Sequence, residues 1–269
     1  MIWRHELKYL IDEVTFQHLY FSLRTVLHGD THANSRGSDG LRGYRIRSLY
    51  FDDPYHSAVF EKLAGVDNRH KFRIRIYNDR DLDMHLEKKT KRNSLCRKDS
   101  CRLTRAQVDS LLAGDPEVLL ENRAAGPVDG LAMPMAESTA ASVASQHALQ
   151  SEMDLLLEFY AAIRTRVLRP AVLVDYERLP LGWPDGNVRI TFDRNLATGI
   201  YRNDLWDAGS GLQPVLDPGT MILEVKYDHY LPDFISDMLP LAGASPISMS
   251  KYTQCAGFIR TGSWEDQTL

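Results

Sequence analysis

The chain has 269 residues, 43% of them apolar and 25% charged, with a formal net charge of −4. That composition belongs to a globular protein with material for a large core, and it excludes a disordered, collagenous or disulfide-stapled chain. The most apolar stretch, Leu155–Ile163, is short and broken by Glu158, and Arg4 and Glu6 bring charge in before any apolar run a signal peptide would need. A cytoplasmic enzyme or binding protein with no membrane segment of its own is the expectation.

Taken in chain order, Arg4–Ile11 reads as a strand and Asp12–Val26 as a helix with apolar residues at helical spacing. Gly29–Gly43 is a loop rich in Gly, Ser, Asp and Asn. Tyr44–Phe51 alternates as a strand, and Asp53-Pro54 opens a helix that runs to Leu63 and stops at Gly65. Three consecutive antiparallel strands follow, His70–Tyr77, Leu82–Lys91 and Leu95–Leu103, joined by turns at Asn78–Asp81 and Arg92–Asn93. Thr104 is placed to cap a helix over Arg105–Leu112. Residues 124–148 contain eight alanines and read as a flexible insertion within a single domain spanning residues 1–269. Beyond it come a helix at Ser151–Arg164, strands at Ala171–Arg178, Val188–Asp193 and Met221–Tyr227, and helices at Leu231–Leu239 and Ser250–Ile259. Strands this close in sequence pair with one another, which gives an α+β protein with an antiparallel sheet or barrel. The three cysteines, Cys96, Cys101 and Cys255, match no zinc spacing and read as reduced thiols.

The net charge conceals a strong local asymmetry. Between Arg69 and Lys98 eleven Lys and Arg stand against four Asp and Glu, so a third of the basic residues lie in one short window while the rest of the chain is acidic. A field of that kind concentrates anions whatever the average says.

Alternation shows where those charges point. Residues two apart in a strand share a face. Lys71, Arg73 and Arg75 therefore lie opposite Phe72, Ile74 and Ile76, and Glu87, Lys89 and Lys91 form a second polar face. Arg189, Thr191 and Asp193 form a third, Glu224 and Lys226 a fourth, and Arg4, Glu6 and Lys8 a fifth. One such strand is explained by a solvated sheet face; five carrying mainly Lys and Arg are not. Closed into a barrel, the sheet would turn its polar faces inward and pack its apolar faces against helices. Two like charges about 4 Å apart cost ~4 kcal/mol at an effective dielectric of ~20, so the fitting occupant is a polyanion, with a divalent metal held by the sparse carboxylates.

Seven motifs occur in order: His5-Glu-Leu-Lys-Tyr9, Arg45-Ile-Arg-Ser-Leu-Tyr-Phe-Asp-Asp53, Glu61-Lys-Leu-Ala-Gly65, Lys71-Phe-Arg-Ile-Arg75, Leu86-Glu-Lys-Lys-Thr-Lys91, Ile222-Leu-Glu-Val-Lys-Tyr-Asp228 and Ser250-Lys-Tyr252. Together they resemble the VTC domain, the polyphosphate polymerase domain of the vacuolar transporter chaperone, within the triphosphate tunnel metalloenzyme (CYTH-like) superfamily. The resemblance implies a closed antiparallel eight-stranded β-barrel forming a triphosphate tunnel with flanking helices. It also implies ATP as phosphoryl donor, Mn²⁺ or Mg²⁺ as cofactor, and polyphosphate as product. Carried over by motif, Lys8, Arg73, Arg75, Lys89, Arg178 and Arg189 bind phosphate, with Lys98 and Lys226 as further ligands. Glu224 holds the metal, Glu6 is a second carboxylate, and Lys251 reaches the reacting phosphates; Lys251, Lys89, Arg73 and Arg75 make up the implied catalytic set. No DNA is implied as a partner, and any sensor domain or membrane segment is expected on another chain. The sequence departs from the superfamily's Glu-x-Glu-x-Lys opening, where Arg4 replaces the first glutamate, and Lys251 is the single basic residue between Ser245 and Tyr252.

Two other readings stay open at this point. Hydrolysis of inorganic or nucleoside triphosphate in the same tunnel would need an activated water, which Glu6, Glu87 or Asp193 could assist. A non-catalytic module binding polyphosphate or an RNA 5′ end would need the basic strands alone, although Glu224 would then weaken anion binding unless a metal sat on it.

Overall fold

The structure, a computed structural model, describes residues 3–29, 35–36, 40–121, 139–199, 204–206, 211–239 and 246–265. Eight strands carry the fold: β1 (Arg4–Ile11), β2 (Arg42–Asp52), β3 (Asn68–Tyr77), β4 (Arg80–Arg92), β5 (Leu95–Leu103), β6 (Arg169–Trp183), β7 (Val188–Gly199) and β8 (Met221–Tyr227). Every pairing among them is antiparallel, in the order β1-β5-β4-β3-β2-β6-β7-β8, and β8 returns to β1, so the pairings form a ring. The contact between β1 and β5 is the shortest, with Arg4 opposite Cys96 and His5 opposite Leu95.

Local chemistry explains the elements. The β3–β4 hairpin turns on Asn78 and Asp79, both at positive φ (53° and 55°), and the β4–β5 hairpin turns on Asn93 (φ 54°). Asn and Asp tolerate that region because their short polar side chains bond locally, and paired positive φ values match the twist of the flanking strands. Helix α1 (Glu13–Leu23) is capped by Asp12, which accepts from the Thr15 amide at 2.8 Å. After α2 (Ser57–Leu63), α3 (Arg105–Leu112) opens with Thr104 and Gln107 in a reciprocal capping box. The long helix α4 (Thr139–Arg166) starts inside the alanine-rich stretch read as an insertion over 124–148. Residues 124–138 of that stretch lie outside the described residues. From Thr139 onward alanine acts as the helix former that its propensity predicts, and the apolar face that anchors α4 begins further on, at Leu155. Helices α5 (Asp233–Met238) and α6 (Lys251–Glu265) complete the set. No helix among the described residues is long and apolar enough to cross a membrane.

Two apolar clusters sit on the outer faces of the ring. Phe72, Ile74, Ile76, Leu86 and Leu103 pack with Val108 and Leu111 of α3 and Phe159 of α4. Tyr9, Ile11, Ile190, Phe192, Leu223 and Val225 pack with Phe16, Leu19 and Leu23 of α1 and Ile235 of α5. Both follow the expected rule that polar faces turn in and apolar faces meet helices.

The third cluster breaks that rule. Tyr44, Ile46 and Tyr50 of β2 join Val172, Val174 and Tyr176 of β6 and meet Tyr252, Cys255 and Ala256 of α6. Here the charged face of β2 is turned the other way: Arg45 and Arg47 both bond Asp175 at 2.8 Å. One wall inside the ring is therefore aromatic and aliphatic, and α6 packs on it. Asp52, at the end of β2, accepts from the Tyr252 hydroxyl and from the Ala58 amide and so ties α6 and α2 to the same strand. On β7 the inward parity also slips. The register with β6 shifts across Arg194, and Asn195 takes φ 55°, so Asp193 and Leu196 reach the interior although three residues apart.

At Gly43 β2 leaves no room for a side chain against β6, since a Cβ there would lie 2.6 Å from the Arg178 carbonyl and 2.7 Å from a Leu179 methyl. Gly43→Ala is expected to destabilise the protein by about 1–3 kcal/mol, read as a lowered urea midpoint with an unchanged slope. An unchanged midpoint would mean the two strands separate freely there.

Candidate functional site

The inward faces of the polar strands enclose a cavity of about 600 Å³. Every residue that the resemblance implies as a phosphate, catalytic or metal ligand lines it: Lys8, Arg73, Arg75, Lys89, Lys98, Arg178, Arg189, Lys226 and Lys251, together with Glu6 and Glu224. Strand register brings them there. Lys8 stands opposite Glu224, Glu6 opposite Lys226, and Lys226 opposite Arg189. On the far side Lys71 stands opposite Lys89, and Lys89 opposite Lys98, so three lysines form one row across β3, β4 and β5. Like charges placed directly across strands destabilise a sheet, and a row of three is unfavourable without an anion.

Fifteen Lys and Arg line the cavity against two carboxylates. Four carboxylates hold the arrangement together. Glu6 accepts from Lys89 with both oxygens at 2.7 Å and pairs with Lys8 at 2.9 Å; Glu224 pairs with Lys226 and lies 3.7 Å from Lys251 and 3.8 Å from Lys8. Glu87, on the inward face of β4 and 1% exposed beneath the cations, accepts from Arg73 at 2.8 Å and from Lys98 at 2.7 Å, with Arg75 at 3.5 Å. Asp193, with no exposure, binds Arg178 through two bonds of 2.6 and 2.7 Å and Lys251 at 2.6 Å. Burial favours the neutral acid at each of these carboxylates, but the surrounding cations outweigh it and hold all four below the usual carboxylate range. They stay ionised, and each is held by two or more cations. Glu87 and Asp193, considered above as activators of water, stand as counter-ions between cations.

The cations differ among themselves. For Lys8 and Lys251 burial is outweighed by carboxylates, Glu6 and Glu224 for the first, Asp193 and Glu224 for the second, and both are raised. Lys226 is pushed down to about 8, because burial exceeds the attraction of Glu224 and Glu6. Lys71 is pushed down to about 7 by burial, with Lys89, Lys8 and Arg73 adding to it against Tyr50. Lys98, 51% exposed at its side chain, stands at the rim.

The aromatic wall supplies residues that sequence reasoning missed. Tyr50 accepts from Arg73 at 2.6 Å, Tyr176 accepts from Arg75 at 3.3 Å, and Tyr44 accepts from Arg189 at 2.7 Å. Each phenol steers a guanidinium while its ring lines the cavity. Burial opposes ionisation of Tyr50, yet Arg73, Lys71 and Arg75 together bring it down to about 7. The signal available was the alternation of Tyr44, Ile46, Ser48 and Tyr50, which looks the same for an inward as for an outward face.

A ring of antiparallel strands that gathers cations around an enclosed cavity defines an anion-binding protein, of the kind that takes extended phosphates. The VTC domain matches residues 3–259, and the chain belongs to that family. Family and cavity agree on a triphosphate- or polyphosphate-related role. No curated protein matches this sequence. Among solved structures, a Bacillus halodurans protein provisionally assigned as an adenylate cyclase aligns at 10% identity over 92% of this chain and 95% of that chain, with a TM-score of 0.43. The Schizosaccharomyces pombe Mediator head module aligns at 9% identity over 99% of this chain and 96% of that chain, with a TM-score of 0.39. Likenesses this distant say nothing about chemistry.

Among the described residues no three His, Cys, Asp or Glu side chains converge as a metal-binding group. Glu6 and Glu224 nevertheless present hard oxygen donors on neighbouring strands, both within reach of Lys8. Mg²⁺-type ions are commonly held by one or two carboxylates together with substrate phosphates. The donor set fits a divalent metal that arrives with a phosphate; it does not fit one held by protein alone.

Two outcomes follow. Glu87→Gln removes the counter-ion of three cations and should cost about 3–5 kcal/mol of stability, with tripolyphosphate restoring more of the thermal midpoint in the variant than it adds to the parent. Equal shifts would show that Glu87 does not balance the cavity. In addition, Lys71 and Lys226 are partly neutral at pH 8, and a bound polyanion recharges them. Binding of long-chain polyphosphate, whose internal phosphates do not titrate in this range, should take up protons at pH 8 and weaken from pH 7 to pH 9. Calorimetry in buffers of different ionisation enthalpy reads this directly; proton release would contradict it.

Proposed function

We propose that the protein is a polyphosphate polymerase that transfers the γ-phosphate of ATP to a growing polyphosphate chain. In this reading the ring of strands works as a closed barrel whose bore is the tunnel for the chain. The observation that carries the reading is the charge inventory: fifteen cations face the cavity, and Glu6, Glu87, Asp193 and Glu224 are each already bound by two or more of them.

Phosphoryl transfer depends on alignment and charge neutralisation, and hardly on covalent help from the protein. The end of a polyphosphate chain is already ionised near neutral pH, so it needs no base. Water does, and a base must have a free lone pair in reach. The cations around Glu6, Glu87 and Asp193 hold them below the usual carboxylate range and so make them weak bases, which favours transfer to phosphate over hydrolysis.

The residues then divide the work. The row Lys71, Lys89 and Lys98 and the pair Arg73 and Arg75 hold the two polyanions against their mutual repulsion. Arg178, Arg189 and Lys226 carry the chain along the opposite wall. Lys251 comes from α6, held by Asp193, and is placed to meet the reacting phosphates. Glu224 and Glu6 are the residues that would hold Mn²⁺ or Mg²⁺, which when bound neutralises charge developing on the bridging oxygen. A sensor or membrane-spanning partner on another chain is compatible with this reading but not required for the chemistry.

The test is incubation with ATP and Mn²⁺, with and without a short polyphosphate primer, resolving polyphosphate on a gel and counting free phosphate in the same tube. A ladder with matching ADP is expected, and it should disappear on chelation of the metal. Free phosphate without a ladder would replace the reading with a triphosphatase; neither product, with tight binding, would replace it with a binding module. Glu224→Gln should lose turnover yet keep tripolyphosphate binding, because the variant cavity is more cationic. Full turnover by that variant would remove Glu224 from the metal site.

A further inference from the structure

Ser250 lies in the cavity wall, 7% exposed, immediately ahead of the fifteen-residue helix α6. Its hydroxyl oxygen accepts from the Thr253 amide at 3.4 Å, ordinary work for a residue that starts a helix. A second contact has no part in that work: the Nζ of Lys71 donates to the same oxygen at 2.9 Å. Lys71 reaches it from β3, with Nζ lying 5.1 Å from the Tyr50 ring centroid and 5.5 Å from that of Tyr252. No carboxylate among the described residues pairs with it. The neighbouring Ser248 shows what a purely structural pair looks like. There Lys62 bonds the backbone carbonyl as well as the hydroxyl, at 2.8 and 2.7 Å, and its ammonium is anchored by both.

A serine hydroxyl against a buried amine that loses its proton easily is a nucleophile with its base in place. The groups facing Lys71 are Tyr50 on β2, Arg73 on its own strand, Lys89 on β4 and Lys8 on β1, and burial together with the three cations keeps the neutral amine populated near pH 7. The surroundings also suit the product, since a phosphate on Ser250 would sit at a helix N-terminus beside Lys71 and Lys251.

We infer that Ser250 is a phosphoryl acceptor, the hydroxyl on which the first phosphate is placed when no primer is present, with Lys71 as its base. The inference rests on the phosphoryl-transfer reading above and adds to it the origin of the chain. The Ser250 oxygen attacks the γ-phosphorus of a nucleoside triphosphate. The new O–P bond forms as the bond to the β–γ bridging oxygen breaks, and the serine proton passes to Lys71 Nζ. The nucleoside diphosphate departs with the bridging oxygen and its electron pair, and the phosphoserine's oxygens accept the next phosphate.

The protein is incubated with γ-labelled ATP and Mn²⁺ without primer, then denatured and resolved on a gel, and the tryptic peptide Tyr227–Lys251 is sequenced by mass spectrometry. Label is expected to migrate with the denatured protein and, after acid has stripped the polyphosphate, to remain as one phosphate on Ser250. Ser250→Ala and Ser250→Asn should both lose it, the second while keeping an oxygen able to cap α6. The labelling rate should rise with pH as Lys71 loses its proton, above the pH that the empty cavity would give because bound ATP favours the charged amine, and Lys71→Met should lower the rate by roughly 10²-fold and flatten that rise. Polyphosphate made without phosphate on Ser250, or with the label on another residue, would overturn the inference and leave the polymerase reading standing. Absence of both polyphosphate and label would overturn the two together.

Discussion

Mutual repulsion among the cations inside the ring is the constraint on which the rest of this structure depends. Three lysines in register across β3, β4 and β5 cannot sit together in a partly buried space without compensation. Part of it comes from Glu6, Glu87, Asp193 and Glu224, each bound by at least two cations. Two of the four, Glu87 and Asp193, are covered by the cations they bind and have almost no exposure, so they neutralise charge without lining the cavity. The remaining positive charge is left for a ligand. Stability and binding are therefore set by the same balance.

The apolar wall inside the ring gives that balance its direction. With Tyr44, Tyr50 and Tyr176 on one side, the cavity is a poor solvent for isolated charge, so its groups depart from their ordinary titration. Lys71 and Lys226 come down while Lys8 and Lys251 go up: Lys71 has no carboxylate partner among the described residues, and at Lys226 burial, with Arg178 and Lys89 adding to it, exceeds the attraction of Glu224 and Glu6. The same wall receives α6, which delivers Ser250 and Lys251 to the cavity. Tyr252 makes the join, stacked on Tyr50 at 4.7 Å and bonded to Asp52. Helix packing and placement of the reactive side chains are one event.

Much of this architecture is legible in the order of the residues. The polar faces of β1, β3, β4 and β8 follow from parity, and β1, β5, β8 and α3 begin and end where their patterns say. On β2 parity could not decide, because Arg45 and Arg47 alternate with Tyr44 and Ile46 and either face can be buried. The outcome depended on Asp175 of the neighbouring strand β6, which gives both arginines a partner outside the ring. The start of α4 was hidden for a related reason: alanine favours a helix by propensity but has no amphipathic stripe to announce one.

By itself, the sequence determined which side chains share a face, since period-two alternation is a property of the chain alone, and it determined that cations would crowd the polar faces. The family motifs followed from the same residues. Only the tertiary structure decided which carboxylate neutralises which cation, which wall would be aromatic, and that Lys71 would meet Ser250 across 179 positions of sequence. The reason is physical. Electrostatic energy and hydrogen bonding depend on distance through space, and residues far apart in the chain come within about 3 Å only once the strands have paired and α6 has docked.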